Sequence, residues 1–143
     1  MFAIFFPIFF LLTMTSLAHV VPIINHHPTN EKIVFLTFDD GPHAKFTLQI
    51  LEILRECGVK ATFFMLGSQM KKYPHIVQAI LKEGHMVANH SFSHANFSKL
   101  TPEQAAQEID MTQQLIDPKK EIYFRPPYGA GLKECQRVLS QRN

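Results

Sequence analysis

The stretch Ile33-Val34-Phe35-Leu36-Thr37-Phe38-Asp39-Asp40-Gly41-Pro42 decides the reading of this chain. Six apolar or β-branched residues in succession predict a strand buried on both faces, the kind found in parallel sheets. Two carboxylates follow at its C-terminal end, and Gly41-Pro42 predicts a turn there. Adjacent carboxylates repel when both are ionised and buried, and a cation beside them removes that cost. The pair therefore reads either as solvated turn acids or as groups gathered at the rim of a site. The wholly apolar run before it favours the rim.

Working outward, the same layout recurs. Residues 46–57 carry Phe46, Ile50, Leu51, Ile53 and Leu54 at helical spacing and close on Gly58. Lys60 to Met65 predicts a second strand. Pro74 opens a helix to about Lys82, ended by Gly84. His85 to Ala88 predicts a third strand. Thr101-Pro102-Glu103-Gln104 is a helix start with a capping box, and that helix breaks near Asp117-Pro118. Glu121 to Phe124 predicts a fourth strand, and residues 132–140 a last helix. Four strands alternating with helices predict a parallel α/β architecture, whose sites gather at strand C-terminal ends.

Two more groups fall at such ends. His90 and His94 are four apart and can converge on one metal. With Asp40 they would form a His₂-Asp set, and three protein ligands leave a position open for water. The alternative is a pair of surface or core histidines. Zinc proteases with this His spacing need Glu after the first His, and Ser91 stands there instead. Arg125-Pro126-Pro127-Tyr128-Gly129 follows the fourth strand. Its prolines stiffen the backbone around an arginine suited to orienting a carboxylate, or to a salt bridge at the rim. The remaining histidines, His19, His26, His27, His43, His75 and His85, read as surface or packing residues. His43, beside the first motif, keeps a small functional share.

The three motifs, in this order and joined by Gly58-Val59-Lys60-Ala61-Thr62-Phe63-Phe64 and Leu66-Gly67, resemble the polysaccharide deacetylase (NodB-homology, carbohydrate esterase family 4) family. The resemblance covers about residues 32–132. It implies a distorted (β/α) barrel, of which this sequence holds about four βα units. It implies hydrolysis of the N-acetyl amide of N-acetylglucosamine units in a chitin- or peptidoglycan-type polymer. Asp39 would be the general base. Asp40, His90 and His94 would hold zinc or a similar divalent ion. Arg125 would position Asp39, and the Tyr128 N–H would help stabilise the oxyanion. The family also implies a later Asp-Trp motif and a Leu-x-His motif whose histidine protonates the leaving amine. The 143 residues contain no Trp and no His after His94.

A full (β/α)₈ barrel needs roughly 250 residues. The expectation is therefore a C-terminally truncated domain, with three histories in descending order. It is a gene fragment or frameshifted remnant, a half-barrel completed by another chain, or a trimmed monomer that works. A half-barrel exposes sheet edges through which it could pair. Without the later motifs, the second reading is an inactive remnant or a metal- or glycan-binding half-domain.

Residues 2–12 are almost wholly apolar and fade into Ser16-Leu17-Ala18, a small-x-small cleavage pattern. Residues 1–18 read as a signal peptide, with an uncleaved anchor as the alternative and membrane contact only in that case. Residues 19–31 read as a linker and 32–143 as the deacetylase part. The expected location is exported: secreted, periplasmic or cell-envelope. The net charge of +2, with no basic stripe, leads to the expectation of a mixed surface and no nucleic-acid partner. Cys57 and Cys135 could pair after export. Cys57, at the end of an apolar helical face, reads first as a buried free thiol. Asn89-His90-Ser91 and Asn96-Phe97-Ser98 match glycosylation sequons, read as coincidence outside a eukaryotic host.

Overall fold

The computed structural model describes residues 21–142, apart from 25–27, 118, 120 and 122. The signal or anchor segment, His19, His26 and His27 lie outside the described residues.

Among the described residues the strands and α-helices follow in the order expected of an α/β chain: β1 (Thr37–Gly41), α1 (Phe46–Glu56), β2 (Thr62–Met65), α2 (Gly67–Lys72), α3 (Pro74–Lys82), β3 (Met86–Asn89), α4 (Pro102–Ile116) and α5 (Leu132–Ser140). The sheet is parallel, in the order β1-β2-β3. Strand periodicity divides its faces. Phe63 and Met65 point into a core with Leu51, Leu54, Met70, Ile76, Val77 and Ile80 from α1, α2 and α3. Phe38 stacks on Phe63 at 5.2 Å and joins that core. Thr37 and Asp39, one residue either side of Phe38, therefore face the other way. A second cluster of Phe97, Ala105, Ile109, Cys135, Val138 and Leu139 joins α4 to α5. The Arg142 guanidinium grips Asp110 of α4 with two bonds at 2.5 and 2.6 Å.

Both capping signals materialise. Thr101 and Gln104 close a reciprocal capping box on α4, with Pro102 in the first turn. Such a cap contributes about 1 kcal/mol. Pro74 likewise sits in the first turn of α3.

Several expectations need correction. The first strand begins at Thr37, not Ile33. Ile33, Val34 and Leu36 are 48%, 82% and 41% exposed. Burial on both faces needs neighbours, and the partner strand starts only at Thr62, whose N–H reaches the Leu36 carbonyl. Among the described residues the fourth strand is represented by one parallel bridge, Asn89 with Phe124. It cannot run on beyond Arg125, since Pro126 and Pro127 have no N–H to donate. Among the described residues the sheet is thus three strands and a bridge. On α1 the buried stripe is Thr47, Leu51 and Leu54, leaving Phe46 and Ile53 exposed. Cys57 is exposed as well, because α1 ends one residue earlier and Cys57 turns away as its cap. Both cysteines are free and the buried one is Cys135. One helix is not among those expected: α2 forms directly after β2.

Candidate active site

The two aspartates separate at a β-bulge. The ladder pairs Phe38 with Phe63 and then Gly41 with Met65, so β1 holds one residue more than β2 across that step. A regular strand would send Asp39 and Asp40 to opposite faces. The extra residue, with Asp40 at φ +67°, re-aims the second carboxylate along the rim. Asp tolerates this left-handed conformation better than most residues.

Asp40 Oδ1 lies 3.3 Å from His90 Nε2 and 3.2 Å from His94 Nε2. One donor atom from each of the three residues falls within 4.8 Å of the others. Tetrahedral zinc with bonds near 2.05 Å sets neighbouring ligand atoms about 3.3 Å apart. The observed spacings fit such an ion. The far side of each ring is also fixed. His90 Nδ1 is 2.7 Å from the Arg125 carbonyl, which can only accept, so Nδ1 carries the proton and Nε2 offers its lone pair. His94 Nδ1 is 3.1 Å from the Tyr128 hydroxyl. Rings held this way through their outer nitrogen are the usual support of a metal ligand. A lone pair on His90 Nε2 facing a carboxylate oxygen is repulsive unless a cation or proton lies between them. The donor chemistry therefore fits a bound cation.

The His90–His94 segment is a tight loop, with Ser91 at φ +71° and His94 at φ +65°. It sits against the start of α2, where Gly67 and Ser68 donate their N–H groups to the Ser91 and Phe92 carbonyls at 3.0 Å each. Only glycine fits at position 67. A Cβ there would come within 2.5 Å of Phe92 and of the Thr112 hydroxyl.

Asp39 faces a separate partner. Arg125 Nη1 donates to its Oδ1 at 2.6 Å and to Thr37 Oγ1 at 3.1 Å. The guanidinium lies over the Phe64 ring, 3.9 Å from its centre. Arg125 is thus held from two sides, by Thr37 and by an aromatic face. Its main chain completes the bridge to β3: Asn89 donates to the Tyr123 carbonyl, and Arg125 donates to that of Asn89.

All six residues singled out from the sequence therefore meet at one rim: Asp39 with Arg125, and Asp40 with His90, His94 and Tyr128. Tyr128 enters by its hydroxyl, a contact its sequence gave no sign of. His43 does not join them. Its Nδ1 accepts from the Lys45 and Phe46 N–H groups at 3.2 Å and caps α1. Sequence reasoning also passed over Thr37 and Phe64. Asn89 is fully buried, which closes that sequon to modification.

A parallel sheet with a polar rim at its strand C-terminal ends is a frame that α/β barrels and open sheets share. The polysaccharide deacetylase family model matches residues 26–143, and the chain belongs to that family. A peptidoglycan-N-acetylglucosamine deacetylase of Bacillus cereus is 39% identical over 122 residues, covering 81% of this chain and 43% of that protein. The structure of the peptidoglycan deacetylase PdaC from Bacillus subtilis superimposes with a TM-score of 0.72 at 39% identity, covering 78% of this chain and 56% of that one. A CE4 family pseudoenzyme from Bacillus anthracis superimposes equally well, with a TM-score of 0.72 at 30% identity over 80% of this chain and 42% of its own. The chain thus spans about half the length of these relatives, and its fold is part of the NodB-type distorted (β/α) barrel.

Proposed function

We propose that this chain carries the metal and general-base half of a polysaccharide N-deacetylase site. Its substrate class is a polymer with N-acetylglucosamine units, of the peptidoglycan or chitin type. The observation that carries the reading is the placing of two adjacent carboxylates in different partnerships: Asp40 with two histidines, Asp39 with an arginine. Asp40, His90 and His94 would hold a divalent ion, most simply zinc. Such an ion, when bound, polarises a carbonyl and acidifies a water.

The chain's own residues supply the rest. Asp39 takes the proton of the attacking water. Arg125 and Thr37 fix which way its carboxylate points, so the basic oxygen needs no reorganisation during reaction. His90 and His94 stay oriented because their Nδ1 atoms are engaged by the Arg125 carbonyl and the Tyr128 hydroxyl. The backbone N–H of Tyr128 is offered to the oxyanion. Protonation of the leaving amine has no histidine assigned to it in these 143 residues. A general acid is worth about 10²–10⁴ in rate.

A relative named for deacetylation of peptidoglycan supports a cell-wall substrate and work outside the cytoplasm. No helix among the described residues is long and apolar enough to cross a membrane. The second reading, a half-domain that binds metal or glycan without turnover, is favoured by one observation: the same fold occurs in a pseudoenzyme. The two readings part on acetate release from an N-acetylglucosamine oligomer by the zinc-loaded chain. The enzymatic reading expects slow release that disappears in Asp39→Asn. No release from folded, zinc-loaded protein overturns it and leaves the binding reading standing.

A further inference from the structure

Four consecutive N–H groups in the His90–His94 loop, those of residues 91 to 94, are each satisfied by a side chain. Asn89 Oδ1 accepts from Ser91 at 3.0 Å. Glu108 Oε2 accepts from Phe92 at 2.9 Å and from Ser93 at 2.8 Å. Ser91 Oγ accepts from His94 at 3.1 Å. Glu108 Oε1 takes a further bond from the Ser93 hydroxyl at 2.7 Å. Glu108 thus supplies three of these five bonds, and unlike Asn89 and Ser91 it is distant from the loop in sequence, on α4.

The loop needs that anchor. With Ser91 and His94 both at positive φ, its backbone sits where L residues rarely settle unaided. Successive N–H groups in such a turn converge and favour an anion. A carboxylate accepts several charge-assisted bonds at once, which a neutral side chain does less well. α4 itself is fixed: Asn89 Nδ2 donates to the Ile109 carbonyl at 2.9 Å, and Ile109 is fully buried between α4 and α5. The loop between the two histidines is therefore tied to a rigid helix through one side chain.

We propose that Glu108 is a positioning residue for the metal site. It sets the separation and aim of His90 and His94 by clamping Phe92 and Ser93 between them, without touching the ion or the substrate. This rests on the reading of Asp40, His90 and His94 as a metal site.

The test is zinc affinity, measured by competition with a chromophoric chelator, and the visible spectrum of the cobalt-substituted protein. Wild type, Glu108→Ala, Glu108→Gln and Ser93→Ala are compared, each shown to be folded by its thermal transition before metal is added. Removing a support of a metal ligand typically costs about 10–100-fold in affinity. Glu108→Ala is expected to bind zinc weaker by that range and to change the cobalt ligand-field bands. Glu108→Gln, which keeps one oxygen for the two N–H groups, recovers most of both. Ser93→Ala removes one bond of three, remains folded if Glu108→Ala does not, and shows a smaller loss of the same kind. Wild-type affinity and an unchanged cobalt spectrum in the folded Glu108→Ala protein, or in Ser93→Ala where Glu108→Ala fails to fold, overturn the proposal. A wild type that binds no zinc overturns the metal-site reading as well.

Discussion

The carbonyl oxygen of Arg125 lies 2.7 Å from Nδ1 of His90, so the residue that clamps Asp39 with its side chain also orients the His90 ring with its main chain. In the proposed site, the general base and one metal ligand are thus held by one residue through two chemically separate groups. Substitution can remove the first without the second. In Arg125→Ala the carbonyl remains, and zinc affinity is expected to stay within a few-fold of wild type. Acetate release should fall by about 10²-fold or more, since a misplaced catalytic group costs that much. Arg125→Lys restores the charge but not the contact of a planar guanidinium with Phe64, and should recover little. Parallel zinc titration and acetate assay check this. Loss of zinc binding in proportion to activity would contradict it.

Tyr128 is 71% exposed and its hydroxyl touches His94, so its loss disturbs little else. Tyr128→Phe is expected to weaken zinc binding about 10-fold, the low end for an outer-sphere partner, with an unchanged thermal transition. The comparison is a zinc titration of both proteins at one pH. Equal affinity would remove the hydroxyl from the account.

The two thiols should differ sharply. Burial pushes the Cys135 thiol up to about 12, whereas Cys57 is exposed at the end of α1. The thiolate is the reactive form. Alkylation of native protein at neutral pH should label Cys57 alone, and both residues after denaturation. Peptide mass mapping reads the result, and prompt native labelling of Cys135 would contradict the packing of α5 on α4.

His85 predicts an acid-side loss of stability. Its pKa is lowered, chiefly by burial and next by Lys60, with Glu83 opposing. Nδ1 accepts the Ala61 N–H at 3.2 Å, so the neutral ring carries its proton on Nε2, which has no partner among the described residues. The folded state resists protonation while the unfolded chain takes it up. Stability is therefore full above the unfolded value of about 6.5 and declines as pH falls through it. Urea midpoints at pH about 7.5 and about 5.5 should differ in wild type. They should differ less in His85→Gln, which keeps an acceptor for Ala61. An equal pH response in the two proteins would contradict this.

Much of the site was legible because its residues lie at ends the chain marks plainly. An apolar strand followed by Asp39-Asp40-Gly41-Pro42 announces a rim, and Pro126-Pro127 announces a stiffened arginine. What remained hidden depends on contacts distant in sequence. The bulge at Asp40 is a mismatch between two strands, and neither strand shows it alone. Glu108 lies in a regular helix, where a charged residue reads as solvated surface, and only the folded loop gives it partners. The exposed run Ile33–Leu36 misled for a related reason. Composition says what a segment would bury, not whether a neighbour is there to bury it.

The most direct test of the central claim is calorimetric titration of the metal-free chain with zinc, alongside Asp40→Ala and His90→Ala. One equivalent should bind, and each substitution should weaken binding at least about 10²-fold through the loss of one of three protein ligands. A folded chain that takes up no zinc saturably, or variants that bind as well as wild type, would contradict the site described for Asp40, His90 and His94.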